Sequence, residues 1–207
     1  DGLVTGVQTC ALPISKIEHG VQIGIQAHYF VNQSMALGVQ YAGFTSGING
    51  DVLSEINPEY PIYTYAYQRE RHFVNYIGVS ALFQQPLSSN RKFYLTETIS
   101  GGAFFYRGES QSLQNMPSSS SYSSLQQNSL IEGITVGAGV GISAGYLIRP
   151  DLSIGTGVDF LHARLKKVDF EYKDSQYGRQ EGRGVELNSP LDFSRFNYSI
   201  VLRYSIH

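Results

Sequence analysis

The chain has no Trp, one Cys in 207 residues, and charged side chains at only 15%, against the roughly 25% usual in soluble domains. Cys10 sits in an N-terminal stretch unlike the rest, so it is silent on redox compartment, and no other cysteine follows. Fifteen Lys and Arg against seventeen Asp and Glu give a net charge of −2, with no global charge suited to nucleic acid. No run of about 18 apolar residues is present, which excludes a readable transmembrane helix and leaves open a membrane strand, for which about 9 to 11 residues suffice. There is no clustered metal-ligand set and no phosphate-binding loop: Gly137, Gly139 and Gly141 fall in mid-strand, where they are a packing pattern. None of the five His (19, 28, 72, 162, 207) sits in a His-x-Ser pattern or beside a Ser/Asp pair on its own strand face, so no catalytic residue is assigned. No cofactor is expected.

What is abundant is Gly (22), Tyr (15) and Phe (11), arranged with a period of two. Val21, Ile23, Ile25, Ala27 and Tyr29 alternate with Gln22, Gly24, Gln26 and His28; after the turn at Asn32–Ser34, Met35, Leu37, Val39 and Tyr41 repeat the pattern. A third strand carries Ile77, Val79, Ala81 and Phe83, and a fourth runs from about Lys92 to Tyr106. The clearest pair is Ile134 to Tyr146 and Leu152 to Phe160, whose second faces are Gly, Ser, Thr and Asp. The last strand alternates Phe196, Tyr198, Ile200, Leu202, Tyr204 and Ile206 with Arg195, Asn197, Ser199, Val201, Arg203 and Ser205. Three polar tracts, about 45–71, 107–133 and 168–190, read as long loops alternating with short turns.

One face of each strand is apolar with aromatic ends, and the other is small and nearly uncharged. A soluble sandwich would place Lys, Glu and Asp on its solvent face. The pattern predicts an all-β, antiparallel, up-and-down transmembrane β-barrel whose narrow interior is filled by small polar side chains. Tyr29, Tyr41, Phe83, Tyr146, Phe160, Phe196 and Tyr204 would form its aromatic girdles. Seven strands are countable, whereas single-chain bacterial barrels have an even number, so eight are expected in the intact protein with the first missing here.

The N-terminus bears on that count. Residues 4–14, VTGVQTCALPI, have no alternation or turn chemistry leading onward, and they resemble a sequencing-library adaptor translated in frame. Residues 1–15 are therefore read as artefactual and 16–207 as the barrel domain.

The stretch GVGISAGYLIRPDLSIGTGVDFLHARLKK, with the closing LDFSRFNYSIVLRYSI, resembles small outer-membrane β-barrel families of the PorT-like and OmpX/OmpA-like kind over roughly residues 20–207. The resemblance implies the bacterial outer membrane, a monomer, and contact with outer-membrane lipid and lipopolysaccharide. Such barrels often end in Phe or Trp, and this chain departs from that with Ile206–His207.

Candidate sites follow from the faces. Asp159, Arg195 and Arg203 point into the expected lumen, where a buried charge needs a partner. Glu97 shares a face with Phe93, Leu95 and Ile99; either that face looks inward, making Glu97 a partner for Arg203, or a bulge places it. The alternative for all four is a solvated barrel mouth. Arg164 and Lys166, just past Phe160, are candidates for lipopolysaccharide phosphates at the outer rim, or else a solvated edge. The Tyr-rich PEYPIYTYAYQRER offers a surface for an extracellular ligand, or else Tyr63, Tyr65 and Tyr67 extend the third strand into a protruding sheet. The expected role is non-enzymatic, structural or surface-binding. The alternatives are a lipid A-modifying barrel enzyme, expected to show a convergent His/Ser/acid set at the outer rim, and a soluble lipocalin-like barrel with an apolar interior.

Overall fold

The computed structural model describes residues 20–55, 63–117, 122–149, 152–174 and 178–204. Residues 1–15, the Pro150–Asp151 turn, Tyr60 and the last three residues lie outside them, as do the side chains of Tyr63, Tyr65 and Tyr204. The described residues form strands and short turns: β1 (Val21–Phe30), β2 (Met35–Glu55), β3 (Tyr63–Pro86), β4 (Phe93–Pro117), β5 (Tyr122–Arg149), β6 (Leu152–Asp174), β7 (Gly178–Asp192) and β8 (Arg195–Tyr204). Every pairing is antiparallel between successive strands from β1 to β7, and β8 returns to β6. β7 and β8 lie end to end along β6: Arg164 pairs with Asp192, Leu161 with Arg195, and Phe193 N donates to Ala163 O (2.9 Å) across the break. They make one interrupted rail, so the eight strands, one more than the seven the alternation implied because β7 lies in the tract read as a loop, occupy seven positions across the sheet.

The short turns have local causes. Asn32 Oδ1 accepts from the backbone N–H groups of Ser34 and Met35 (both 2.9 Å), and Asn90 Oδ1 accepts from Lys92 N (3.1 Å). Their side chains supply acceptors that reverse the chain between β1 and β2 and between β3 and β4. At the other end of the sheet the expectation of long loops is corrected. The polar tracts are strand for most of their length: β2 continues to Glu55, β4 to Pro117 and β5 starts at Tyr122. Polar residues pair there because both strands of each hairpin keep register from the apolar half, as in Gln111 with Asn128 and Leu113 with Gln126. We call the end with short turns lower and the end with long hairpins upper.

A single bulge resets the alternation of β6. Between the pairs Gly137–Ala163 and Glu132–Asp169, β6 has one residue more than β5. Lys166 and Lys167 are both exposed, while Leu165 before them and Val168 after them are both buried. The extra residue flips the alternation so that Val168 and Phe170 still face inward.

The concave face holds the core. Phe44, Val74, Tyr76, Phe104, Tyr106, Ile131, Leu161, Ala163, Leu165, Val168 and Phe193 are buried together toward the upper part. Glycines opposite them create the room. A Cβ on Gly137 would stand 2.6 Å from the Phe104 ring, one on Gly139 2.6 Å from Leu161, and one on Gly145 would overlap Tyr94. The Gly-rich inner face of β5 thus accepts the Phe104 and Tyr94 rings of β4, so large and small residues interlock rather than small residues filling the interior by themselves.

Candidate functional site

The largest chemical feature is the convex face of the lower half. Val21, Ile23, Ile25, Leu37, Val39, Ile77, Val79, Ile99, Val136, Val140, Ile142, Ile154, Val158, Ile200 and Leu202 are all exposed on it. Thirty large hydrophobic side chains are exposed among the described residues, most of them on this face. Continuous exposure of this many large apolar side chains exceeds the largest patch of a typical soluble monomer, roughly 300–600 Å². Aromatics border it. Tyr29, Phe83, Phe93 and Tyr146 lie near the short turns, with the Phe93 and Tyr146 rings 4.8 Å apart; Tyr41, Phe105, Phe160 and Phe196 lie higher, with Phe160 and Phe196 also 4.8 Å apart. The sequence had named all of these except Phe93 and Phe105, which the open parity of β4 concealed.

Glu97 is the correction on this face. β4 pairs without a bulge from Phe93 to Glu132's partner Arg107, with Glu97 opposite Phe83 and Ile142, so it stands on the convex apolar side. It is exposed, and it is not the partner of Arg203. The partners of Arg203 are neutral: Nη1 donates to Gln84 Oε1 (3.1 Å), and the guanidinium lies 5.3 Å from the centre of the Tyr94 ring.

The remaining inward charges do converge. Arg195 Nε donates to Asn197 Oδ1 (3.0 Å), whose amide donates to Asp159 Oδ2 (2.6 Å), so the pair is bridged by an amide. Arg195 Nη2 also donates to Gln22 Oε1 (2.9 Å) on β1, and its guanidinium stacks 4.2 Å from the Phe44 ring centre. Lower down, His28 Nε2 and Ser80 Oγ are 2.9 Å apart, and Tyr94 Oη donates to Ser153 Oγ (2.7 Å). These contacts join β1 to β3, β4 to β6 and β8 to β1, β3 and β4 across the concave side. The sheet is therefore strongly curled, although no backbone pairing joins β1 to β8 among the described residues.

In the upper half the polarity is reversed. Its convex face carries exposed ion pairs: Arg107 with Glu109 (2.8 Å) and Glu132 (3.4 Å), Lys167 with Glu186 (3.2 Å), and Arg179 with Glu171 (3.0 Å) and Glu181 (2.9 Å). Its concave face holds the apolar core and one buried polar cluster that the sequence did not reveal. His72 Nδ1 lies 3.0 Å from Tyr106 Oη, His72 Nε2 lies 3.7 Å from Glu70 Oε2, and Gln68 donates to Glu70 Oε1 (3.1 Å). Burial, with Glu70 nearby, pushes the Tyr106 phenol far above its usual range, so it stays protonated. Glu70 and His72 are two apart on one strand, a spacing that marks a shared face; their burial is set by β4.

The rim between the halves gathers a further set. Arg164 Nε lies 3.4 Å from Asp192 Oδ2, and Lys166 is exposed. His162 Nδ1 and Ser194 Oγ are 2.6 Å apart, and Ser194 N donates to Asp192 Oδ1 (2.8 Å). The Ser194 hydroxyl and amide hold the Asp192 carboxyl below its usual range, with smaller help from Arg164 and His162. His162, Ser194 and Asp192 come from β6 and the β7–β8 break, so sequence distance hid them. No family model, no curated protein and no solved structure matches this chain.

Proposed function

We propose that this chain is an integral bacterial outer-membrane protein whose lower half forms the wall of a small barrel with a filled interior. The upper strands then project as a stiff surface hairpin array with a non-enzymatic, structural or ligand-binding role. One observation carries the reading: side-chain polarity inverts along single strands. In β6, Ile154, Val158 and Phe160 face out with Ser153, Gly155, Gly157 and Asp159 in; above them Arg164 and Lys166 face out with Ala163 and Leu165 in. A single solvent cannot favour both arrangements. Hydrocarbon against the lower convex face and water against the upper one favours each. From Phe196 to Tyr204 the rise is about 20 Å for a strand tilted ~40°, close to the ~25 Å apolar band of such barrels. Arg164 and Lys166 would stand at the outer headgroups, available to lipopolysaccharide phosphates.

The test is depth. A Trp introduced at Ile200 is quenched by brominated lipid in vesicles, and one at Arg107 is not. Equal quenching at both positions defeats the reading. Heat-modifiable migration of membrane-fraction protein is the accompanying check on a stable barrel.

The rim supports a second reading. A Ser hydroxyl at 2.6 Å from an imidazole nitrogen is a nucleophile and base in contact, beside an acid and two cations at an apolar boundary. That arrangement suits cleavage of an acyl ester in an anionic lipid. Ester hydrolysis lost in Ser194→Ala with the fold intact supports it; no hydrolysis by the parent chain removes it.

A further inference from the structure

The convex apolar band has a notch near the short turns. Phe93, Tyr146 and Ile154 stand opposite one another in a single register row across β4, β5 and β6. Leu87 continues the row, since its N–H donates to Phe93 O (2.8 Å). The next row up falls from Leu95 to Ala144 and Thr156, and the row after that is large again, with Ile142 opposite Val158. The step down to Ala144 and Thr156 leaves a shallow groove of about 280 Å³, walled by Leu87, Phe93, Tyr146 and Ile154. The groove asks for an apolar occupant. Its wall is two rings 4.8 Å apart, and the Thr156 hydroxyl already donates to Ser199 O (3.2 Å).

The charge beside it has one sign. The turn between β3 and β4 runs straight into Phe93 and carries Arg91 and Lys92, both exposed. The polar groups of the turn satisfy one another. Ser88 Oγ donates to Asn90 Oδ1 (2.7 Å), Lys92 N donates to the same oxygen (3.1 Å), and Arg91 N donates to Ser88 O (2.9 Å). Lys92 O accepts from Leu147 N (2.8 Å), which ties the lysine backbone beside Tyr146. These bonds fix two cations at the lower lip of the groove and leave the guanidinium and ammonium to an outside partner. The β1–β2 turn at the same end, Val31–Ser34, has no charged residue. Among the described residues of the lower convex face the acid is Glu97, and it lies past the groove, opposite Ile142. It repels an anion from the band and toward the turn.

We propose that this groove and turn together bind one anionic glycerophospholipid. An acyl chain lies over Ala144 and Thr156 against the Phe93–Tyr146 wall, and the headgroup phosphate accepts hydrogen bonds from Arg91 and Lys92. The proposal rests on the barrel reading above, which puts the short turns at the leaflet opposite the hairpins. Lipopolysaccharide phosphates at Arg164 and Lys166 would meet the other end. A neutral chain would leave the two cations without a counter-charge, and a free phosphate would leave the groove unused. One anionic amphiphile accounts for both.

The chain has no Trp, so a single introduced one reports its own surroundings. Ile148→Trp places it just past Tyr146, and Leu37→Trp places it on β2, away from the groove. Each variant of the full chain is inserted into phosphatidylcholine vesicles holding a minor share of phosphatidylglycerol, with bromine on one lipid or the other. Brominated phosphatidylcholine should quench both positions; quenching at neither defeats the barrel reading itself. Brominated phosphatidylglycerol should be about fivefold enriched over its bulk share at Ile148→Trp and at its bulk share at Leu37→Trp. The enrichment should vanish when Ala144→Leu fills the groove. It should vanish equally with Arg91→Asn and Lys92→Gln together, Asn being suited to the left-handed backbone of Arg91 (φ 54°). Quenching by brominated phosphatidylcholine shows that each variant is still inserted. Enrichment that survives Ala144→Leu is headgroup attraction alone and overturns the proposal. So does enrichment that survives loss of both cations, equal enrichment at both Trp positions, or none at either; the barrel reading survives all of these.

Discussion

The lower and upper halves share strands, hydrogen-bond ladders and period-two alternation, yet the buried concave face is small and polar in much of the one and apolar in the other. Below, Val136 and Ile142 are exposed while Ser100 and Ser153 are buried; above, Glu132 and Arg107 are exposed while Ile131 and Tyr106 are buried. The crossover falls near Phe105, Ile134 and Phe160, close to the first outward charges, Arg107, Glu132 and Arg164. The contrast teaches that a strand's hydrophobic side does not by itself say which side is the core. On the reading proposed above, what decides is the medium against each face at each height.

The largest effect expected in the comparison belongs to the shared interior. Phe104→Ala removes a fully buried ring seated over Gly137 and should cost about 3–5 kcal/mol in urea unfolding from vesicles, irrespective of the medium outside. Next, Val140→Arg on the lower convex face should cost about 2–4 kcal/mol in the same assay if lipid covers that face, whereas Gln111→Arg on the upper convex face should change stability by about 0.5 kcal/mol or less. Equal, small effects at both sites would break the contrast. Gly145→Val, which drives a side chain into the Tyr94 ring, should cost about 1–3 kcal/mol and weaken the Tyr94–Ser153 hydrogen bond, read as altered tyrosine fluorescence.

A smaller effect sharpens the contrast at Glu97, a charged residue on the lower convex face. Glu97→Leu should stabilise the vesicle-bound protein by about 1 kcal/mol, since it removes a carboxyl from the apolar band. The smallest effect is acid sensitivity at the rim. The folded-state pKa of Asp192 is depressed, so its contribution is present above the unfolded value of about 3.9 and is lost as pH falls through the folded value. The stability of the parent chain should therefore decline slightly more steeply below about pH 4 than that of Asp192→Asn. Identical slopes would show that the Ser194 contacts carry no linkage.

Much of the lower half was legible because a period of two assigns every side chain to one of two faces, and the apolar face is nearly unbroken in β1, β2, β5, β6 and β8. The fourth strand was not legible. Glu97 lies in its apolar set while Tyr94, Phe104 and Tyr106 lie in the other, so alternation alone left both faces mixed. Only pairing with β3 and β5 placed Glu97 outward. The polar tracts were misread for a related reason: Ser, Gln and Asn carry weak strand preference, and tertiary pairing with an adjacent committed strand overrode it.

Sequence by itself determined the strand period, the short turns through Asn32 and Asn90, and which residues share a face, because these depend on neighbours a few positions apart. Tertiary structure alone decided which residues meet across the curl: Arg203 with Gln84, Arg195 with Gln22, His162 with Ser194, and Glu70 with His72 and Tyr106 under burial. Those contacts join strands far apart in the chain, and their partners are fixed by curvature and register, which no local pattern encodes.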